Sequence, residues 1–400
     1  MIFLSFMNLF RNSRRTLAIL LTIALGAGVL FSFKGFIHGV LNQYRDNTVH
    51  SHYGHGQLNT KNYRGTVYPE PWKHWMTNRG EIENFLMSQS AVEHIFPRVN
   101  FSALLKKGSV AVSGQGQGII AEKEAGFFHS LSIETGKTLT DQPDGILLGI
   151  GLAKALDVKP GDKIAILVNA VDGMISNAEL TVTGIFHTGS LDFDSRVFRI
   201  QLKQAQSLLK TTSIESISIG LKNYSDWESF AFSFEKKFPQ LEATSFAVLD
   251  KVYYQHSVDW LNAQFHVIQF IILSIVLLGI FNSISAAILE RKQEIGNFRA
   301  NGESVRSVMQ LIILEGTFLG ALGSCCGVGL TYIFLKLFLD DQFLMPPGPG
   351  LTRSFLISFQ FEWPMVYTTL ALSLLAAVAA SALAGVRVAK MPIAKALRSF

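Results

Sequence analysis

The chain has 400 residues, of which 48% are hydrophobic and only 16% are charged, and 35 basic and 30 acidic side chains give it a net charge of +5. Soluble domains carry about 25% charged residues, so this composition indicates a membrane protein and excludes a disordered chain. A chain embedded wholly in lipid is also excluded, because residues 41–250 read as ordinary globular sequence. The two cysteines, Cys325 and Cys326, are adjacent and cannot supply a disulfide framework.

Four apolar segments are each long enough to cross the roughly 30 Å of hydrocarbon in a bilayer. They cover residues 16–33, 265–289, 307–335 and 363–386. The first also has features of a cleaved signal peptide, since Arg11, Arg14 and Arg15 precede it. Its apolar run is longer than the usual signal core of roughly 7–15 residues, and no small-x-small cleavage site follows, which favours an uncleaved anchor.

The basic residues predict the orientation of the chain. They are concentrated in segments 1–15, 290–306 and 387–400, whereas segment 339–362 carries one basic residue, Arg353, and three acidic ones. Because Lys and Arg accumulate on the cytoplasmic side of short loops, both termini are predicted to be cytoplasmic. We therefore expect a multi-pass protein of a bacterial inner membrane whose large domain is periplasmic.

The region between the first two spans predicts an α+β domain, in two lobes. Residues 163–168 and 180–186 read as short strands, the first preceded by a Pro160-Gly161 turn. Helical patterns occur near residues 79–89, 201–210 and 227–237, and the flanks 35–45 and 251–264 read as helical stalks that extend the spans. The fold class is thus an α-helical membrane protein with four transmembrane helices and a large α+β extracytoplasmic domain inserted between helices 1 and 2.

These segments give a complete division of the chain. It consists of an N-terminal segment (1–15), a first span with its stalk (16–40), the external domain (41–250), a stalk with the second span (251–289), a cytoplasmic helix (290–304), a third span (305–338), an external loop (339–362), a fourth span (363–386) and a tail (387–400).

Motifs that suggest chemistry in the external domain are incomplete. His50, His52 and His55 are close in sequence, but no cysteine or acidic group completes a metal site, and the interpretation we favour is the entry to a strand. The Gly-Lys-Thr at 136–138 lacks the earlier glycine of a phosphate-binding loop, and the alternating glycines at 114–118 are interpreted as a flexible turn. We therefore assign no catalytic residue, no metal site and no cofactor to this chain.

The third span contains an ionisable residue and a glycine pattern. Glu315 lies in the apolar run, where a charge costs about 3 kcal/mol on insertion scales. It is either functional or a carboxylate bonded within the bundle near the interface. Small-xxx-small pairs let another helix approach closely. The pairs here are formed by Gly316, Gly320, Gly323 and Gly327.

The loop that follows the third span begins with a Pro- and Gly-rich segment, 345–350, which predicts a stiff, extended chain. Alternating phenylalanines over residues 355–361 then predict a strand that docks on the external domain.

The connection between spans two and three carries the most informative motif. It is short, charged and without proline, which predicts a helix on the membrane surface, with Ile295 and Phe298 facing a partner or the bilayer. Taken alone it is a solvated connector. The motif residues are Glu290, Arg291, Lys292, Glu294, Ile295, Gly296, Arg299, Ala300 and Gly302.

This motif, followed by Leu314-Glu315-Gly316, resembles the permease family that includes MacB, FtsX and LolC/LolE. The opening segment 8–16 and the closing segment 392–398 are also similar to that family, as is the order of one span, a large external domain and three further spans. Asn301 departs from the pattern, since a small or apolar residue is expected before Gly302.

The resemblance implies a partnership. It implies a dimer of identical or homologous permease chains with a separate cytoplasmic ABC ATPase, which binds ATP and Mg²⁺, so that this chain is not itself an enzyme. Residues 290–302 would be the coupling helix that seats on the ATPase, and ATP hydrolysis would move the external domain by mechanotransmission. Other expected partners are the lipid bilayer and a periplasmic carrier or adaptor, but not nucleic acid.

Chain length brings the sequence nearest to the LolC/LolE lipoprotein-releasing type. The function we expect is extraction or transport of a lipoprotein, lipid or other amphipathic envelope substrate. The alternatives are a MacB-like efflux permease with a periplasmic adaptor, or FtsX-like signalling to a periplasmic hydrolase. A membrane-anchored binding protein without ATP coupling is a further class, and the charged connector and three additional spans argue against it.

Overall fold

The computed structural model describes residues 13–66, 71–140, 144–250, 256–339, 343–346 and 352–389. They divide into two compact units. The helical unit comprises Met1–Asn42, Ser257–Met345 and Leu356–Phe400, and the sheet unit comprises Gln43–His256 and Pro346–Phe355. Several sequence features lie outside the described residues: Arg11, segment 8–12, the start of the second stalk (251–255), most of segment 345–350, and the tail from 390 onward.

Thirteen α-helices are described in these residues. They are α1 (Ser13–Thr48), α2 (Tyr63–Thr66), α3 (Arg79–Ser88), α4 (Ala121–Glu124), α5 (Ile150–Leu156), α6 (Leu191–Arg196), α7 (Leu202–Leu209), α8 (Trp227–Lys237), α9 (Phe246–Leu249), α10 (His256–Glu290), α11 (Lys292–Ala300), α12 (Val305–Phe338) and α13 (Trp363–Ala389).

Twelve strands are described in the same residues. They are β1 (Gly56–Thr60), β2 (Val92–Lys107), β3 (Val110–Ile119), β4 (Ser132–Gly136), β5 (Gly145–Gly149), β6 (Lys163–Asn169), β7 (Ile175–His187), β8 (Val197–Gln201), β9 (Ser216–Leu221), β10 (Leu241–Ser245), β11 (Phe343–Met345) and β12 (Phe355–Ile357).

Four of the helices are long and apolar enough to cross a membrane, which confirms the prediction of four spans. They are Thr16–Ser51, Val258–Glu290, Val305–Phe338 and Trp363–Val386. Helix α1 has 36 residues, about 54 Å at 1.5 Å per residue, and so extends well beyond the apolar core predicted at 16–33. The prediction that residues 35–45 are helical is therefore confirmed.

The four spans are unequally buried within the helical unit. The apolar windows of α1, α12 and α13 are 39%, 39% and 44% buried, whereas that of α10 is only 17% buried. Ile23 of α1, Ile280 of α10 and Ala377 of α13 are fully buried in a shared apolar core. Helix α10 thus joins this core through its C-terminal half and is the least buried of the four spans.

The sheet unit is a mixed α/β domain built on ten strands. Nine of them follow the order β10-β1-β9-β2-β3-β8-β5-β7-β4, and β6 pairs with β2 and β7. Most pairs are antiparallel, but β3–β8 and β5–β7 are parallel. The long strand β2 pairs with β9 through its first half and with β3 and β6 through its second half. This unit lies in the chain between the first and second spans, as the predicted fold class requires.

The predicted strands and helices of this unit follow from residue periodicity. Strand β7 alternates in burial, with Leu180, Val182 and Phe186 inside, as a strand with one core face must. Helix α8 buries Trp227, Phe230 and Phe234, which recur at helical spacing. The predictions for residues 163–168, 180–186, 79–89, 201–210 and 227–237 are confirmed by β6, β7, α3, α7 and α8.

The interpretation of residues 114–118 as a flexible turn is wrong, because they lie in strand β3. The glycines serve close packing. A Cβ at Gly116 would collide with the rings of Phe101 and Phe198, and one at Gly118 would collide with Val99 and Ala205. Glycine locally favours turns, so only the tertiary neighbours reveal that bulky side chains cover this strand.

The strand predicted over residues 355–361 is shorter, and it pairs elsewhere. Strand β12 ends at Ile357 and pairs with β11 in a separate two-stranded sheet. The residues just before β12 do contact other parts of the sheet unit. The Thr352 N–H donates to the Gly189 carbonyl at 2.9 Å, and an Arg353 guanidinium N–H donates to Ser132 Oγ at 3.3 Å.

Candidate functional site

The charged connector forms helix α11, from Lys292 to Ala300. The sequence has no proline here, and the helix ends where Gly302 adopts a φ of +96°. The Gly302 N–H donates to the Arg299 carbonyl at 3.2 Å, which satisfies an orphan carbonyl at the helix end. Because a side chain at this φ is strained, Gly302 fixes the turn between α11 and α12.

Arg291 joins the connector to the third span. Its Nη1 donates to Glu315 Oε1 at 3.1 Å and to Oε2 at 3.4 Å, and its Nε donates to Glu294 Oε2 at 3.2 Å. The side chains of Arg291 and Glu315 are 19% and 17% exposed, so the pair is shielded from most solvent. The sequence left the role of Glu315 open, and the structure places it in an ion pair that spans α10–α11 and α12.

The partial burial of this ion pair makes either partner costly to remove. Exposed ion pairs contribute about 0–1 kcal/mol, whereas removing one partner of a buried pair costs roughly 3–5 kcal/mol because it leaves an uncompensated charge. The Arg291 guanidinium bonds Glu294 and Glu315 at once. A displacement of α11 would therefore pull directly on α12.

The two faces of α11 differ. Ile295 and Gly296 are buried, and Ile295 packs in the apolar core of the helical unit. The expectation that Ile295 faces a partner or the bilayer is therefore wrong. Ile295 belongs to the same buried apolar cluster as Ile288 and Val308. The sequence alone does not reveal this grouping.

Phe298 has the opposite placement and remains 44% exposed. Other exposed predicted residues are Glu290, Ala300 and Gly302, while Lys292, Glu294 and Arg299 are half-buried. The outward face of the connector thus combines an exposed aromatic ring with charged and small residues, which suits a protein surface.

The four glycines of the third span lie on two different helix contacts. A Cβ at Gly316 would overlap Ser381 of α13, and one at Gly320 would lie 2.7 Å from Ala377 Cβ. Gly323 and Gly327 face α1, where the first would meet Ile23 and the second would overlap the backbone of Ala24. Helix α12 therefore lies against both α13 and α1 without space for larger side chains.

Sequence reasoning missed the receiving residues on α13. Ser381 and Ala377 are fully buried, and the Ser381 hydroxyl donates to the Ala377 carbonyl at 2.7 Å. Both are small residues four positions apart, the pattern that marks a close helix contact. Ser304 was also missed; it caps α12 by accepting the Ser307 N–H at 3.1 Å.

No sequence motif indicates the buried charge cluster of the sheet unit. Arg98 donates two hydrogen bonds to Glu124, at 2.7 and 2.9 Å, and Arg199 donates to the Ser51 carbonyl at 3.1 Å. Burial lowers the pKa of Arg199 to about 10. Ser51 lies just beyond α1, so the cluster holds the residues that follow this helix against the sheet.

The histidines considered as metal ligands have other roles. His50 Nδ1 is 2.9 Å from the Phe127 carbonyl, and His55 Nδ1 accepts the Leu221 N–H at 2.9 Å. Burial lowers the pKa of His55 to about 4, which keeps it neutral and able to accept this bond. The side chain of His52 lies outside the described structure, and the part that is described contains no group of three or more potential ligands.

Comparisons with known families account for most of the chain. The MacB-like periplasmic core domain matches residues 16–237, and the FtsX-like permease C-terminal domain matches residues 267–393. Because the first match alone covers more than half of the chain, this protein belongs to the family of ABC transporter permeases of the LolC/LolE/MacB/FtsX type.

Individual relatives are distant. The chain is 24% identical over 270 residues to the lipoprotein-releasing system transmembrane protein LolE of Haemophilus influenzae, covering 65% of this chain and 64% of the relative. It is 24% identical to LolC of Neisseria meningitidis serogroup B, covering 46% of each chain, and 25% identical to the ABC transporter permease YtrF of Bacillus subtilis, covering 42% of each. The matched region thus spans between 42% and 64% of these relatives.

Two solved structures resemble this chain at low similarity. The periplasmic region of MacB from Actinobacillus actinomycetemcomitans is 14% identical with a TM-score of 0.37, covering 49% of this chain and 91% of that one. The extracellular domain of the transporter YknZ from Gram-positive bacteria is also 14% identical, with a TM-score of 0.34 and coverage of 48% and 99%.

Proposed function

We propose that this permease extracts or transports a lipoprotein, lipid or other amphipathic envelope substrate, driven by ATP hydrolysis in a separate cytoplasmic ABC ATPase. The substrate class is suggested by relatives that are named as lipoprotein-releasing proteins. The observation that carries the proposal is the Arg291 bridge, which joins a surface helix to a membrane span through Glu294 and Glu315.

In this proposal the ATPase acts on α11. The exposed side of the helix, including Phe298, seats in a cleft of the ATPase on the cytoplasmic side of an inner membrane. The inward side, anchored by Ile295 and the Arg291–Glu315 pair, passes the displacement to α12. Binding and hydrolysis of ATP with Mg²⁺ take place in the partner. This chain transmits the resulting displacement.

Transmission continues through close helix contacts. Helix α12 contacts α13 through Gly316 and Gly320, and it contacts α1 through Gly323 and Gly327. Such contacts transmit movement well because close-packed side chains cannot slide independently. Helix α1 continues to Thr48, and the Arg199–Ser51 bond fixes the residues beyond it within the sheet unit. In this proposal the periplasmic domain moves with α1.

A second permease chain, identical or homologous, completes the proposed assembly. The exposed apolar residues of α10 include Phe270, Ile271, Ile275 and Leu278. Within a bilayer they face lipid, the acyl chains of a substrate, or the second chain. A periplasmic carrier or adaptor would take over what the domain releases.

Purification of the intact complex in mild detergent, followed by mass spectrometry of the bound molecules, tests the proposal. An ABC ATPase together with a lipoprotein or lipid is the expected result. An ATPase with a periplasmic adaptor and no lipid would replace extraction with efflux, and an ATPase with a hydrolase or its activator would replace it with signalling. A permease dimer that retains no ATPase would contradict the proposal as a whole.

A further inference from the structure

A short segment before the last span lies along the C-terminal half of α1. Residues 358–362, Ser-Phe-Gln-Phe-Glu, are called the strap here. A Cβ at Gly39 of α1 would overlap the backbone carbonyl of Ser358, and one at Gly35 would overlap the ring of Phe361. The Gln360 N–H points to the Gly35 carbonyl at 3.4 Å. The strap therefore lies directly on the helix backbone, at two positions where only glycine fits.

Three polar side chains of α1 are directed to the same segment and to the start of α13. They are spaced four residues apart, so they share one face of the helix. The three hydrogen bonds, together called the polar clamp, are Lys34 Nζ to Thr368 Oγ1 at 2.6 Å, His38 Nε2 to Glu362 Oε1 at 3.1 Å, and Asn42 Nδ2 to Gln360 Oε1 at 2.5 Å.

An aromatic contact fixes the strap from its other side. The ring of Phe361 stacks on Phe31 of α1 with centroids 4.5 Å apart and planes 15° apart, and Phe31 is 1% exposed. Phe361 also meets the ring of Tyr332 of α12 edge-on at 5.7 Å. The strap thus contacts α1 and α12 and leads directly into α13.

Polar residues near a membrane interface often need no further explanation, and each of these hydrogen bonds alone contributes little. The arrangement of the three bonds together does need an explanation. Three bonds in helical register coincide with two glycines that exclude any side chain between the strap and α1. A solvated interface requires neither the register nor the backbone contact.

We infer that Lys34, His38, Asn42 and Glu362 are positioning residues that fasten α1 to the strap and α13. This inference rests on the proposed function and deepens it. Movement that enters through α11 and α12 reaches the domain along α1, because the clamp keeps α1, α12 and α13 together. The clamp stays closed through the ATP cycle.

The first test locks the clamp in the assembled complex in lipid nanodiscs. The variant Asn42→Cys/Gln360→Cys is made in a Cys325→Ser/Cys326→Ser background, so that no other thiol interferes. We expect the disulfide to form on oxidation and ATP-driven movement to persist. Movement is measured in a second preparation, because the spin labels need thiols of their own. In it the labels occupy Ser88→Cys and Gln310→Cys, and a cross-link without thiols joins residues 42 and 360. Failure to cross-link in either preparation, or loss of the ATP-driven distance change on cross-linking, would overturn the inference.

The second test removes the clamp. In the triple variant Lys34→Met/His38→Ala/Asn42→Ala we expect the ATP-driven distance change to fall about two- to tenfold while the ATPase remains bound. His38→Gln alone, which keeps a donor, should behave as the unmodified chain. The matched control is Ser32→Ala on the same helix, since the Ser32 hydroxyl donates only to its own helix, at the Gly28 carbonyl.

The outcomes separate the two proposals. A moving triple variant beside a moving unmodified chain overturns the clamp alone. An unmodified chain that binds no ATPase and shows no movement with ATP overturns the proposed function, and the clamp as a transmission device fails with it.

Discussion

The two helices that lead into and out of the sheet unit, α1 and α10, have almost the same length and very different surroundings. They have 36 and 35 residues. The apolar window of α1 is 39% buried, and that of α10 is 17% buried. Helix α1 meets α12 at Gly323 and Gly327, whereas α10 leaves Phe270, Ile271 and Ile275 exposed.

This difference indicates a division of labour. A helix held by close contacts moves with its neighbours, so α1 is suited to carry displacement from the bundle to the domain. A helix with a long exposed apolar face is suited to meet lipid or a second chain. Similar hydropathy therefore conceals two different surroundings, which only the packing distinguishes.

The largest expected effect breaks the contact between α12 and α1. Gly327→Val would drive a side chain into the backbone of Ala24, and we expect a loss of about 3 kcal/mol of stability, or failure to fold. The control is Gly329→Val on the same helix, where a Cβ meets nothing within 4 Å. Thermal unfolding in detergent, followed by tryptophan fluorescence, compares the two. Equal melting temperatures would contradict the close contact.

Tryptophan substitutions sharpen the comparison of α1 with α10. Ile23 of α1 is fully buried, and Ile275 of α10 is 62% exposed. We expect Ile23→Trp to cost about 2 kcal/mol through overpacking, and Ile275→Trp to change stability by less than about 0.5 kcal/mol. The same melting assay on the monomeric chain measures both. A loss of stability for Ile275→Trp as large as that for Ile23→Trp would show that α10 is packed as tightly as α1.

The pH dependence of stability tests the contact between Tyr44, near the end of α1, and Asp250. The Tyr44 hydroxyl donates to Asp250 Oδ2 at 3.1 Å, and burial raises the pKa of Asp250 from 3.8 to about 6. A raised carboxyl pKa means that the fold disfavours the charged form, so this contribution is most favourable below pH 3.8 and is lost as the pH rises through 6. Asp250→Asn should therefore stabilise the protein by about 1–2 kcal/mol at neutral pH.

The control for this titration is the pH dependence of the difference between variant and unmodified chain. The advantage of Asp250→Asn should grow between about pH 4 and pH 6 and then stay constant. Subtraction removes other titrating groups such as His55, whose lowered pKa has the opposite effect on stability as the pH falls. A difference that does not depend on pH would show that the fold does not disfavour the charged form of Asp250.

The smallest expected effect concerns the entry of the movement. Phe298→Ala removes an exposed ring from α11, so stability should change by less than about 0.5 kcal/mol, while ATP hydrolysis by the assembled complex falls about threefold. Ile295→Ala, on the buried side of the same helix, should instead lower the melting temperature. If Phe298→Ala leaves hydrolysis unchanged, the outward face does not contact the ATPase.

Much of the architecture is readable from sequence because it depends on local patterns. Apolar runs predict the four spans, and alternation predicts β6 and β7. Strand β3 is not predicted from sequence, because its glycines make room for Phe101 of β2 and Phe198 of β8. Both phenylalanines lie on other strands. The Arg291–Glu315 pair joins residues 24 positions apart, and the partners of Lys34 and His38 lie more than 320 positions away. Such contacts leave no periodic trace in one sequence.

In the proposed mechanism, displacement of α11 enters the bundle through Arg291 and Glu315. Arg291→Glu and Glu315→Arg each place like charges together, and each should lower ATP hydrolysis by the assembled complex about tenfold, whereas the double swap should recover to within about threefold. The control swap exchanges Asp192 and Arg196, an exposed pair in the sheet unit, and should have no effect. Single variants as active as the unmodified chain, or a double swap no better than either, would contradict the account.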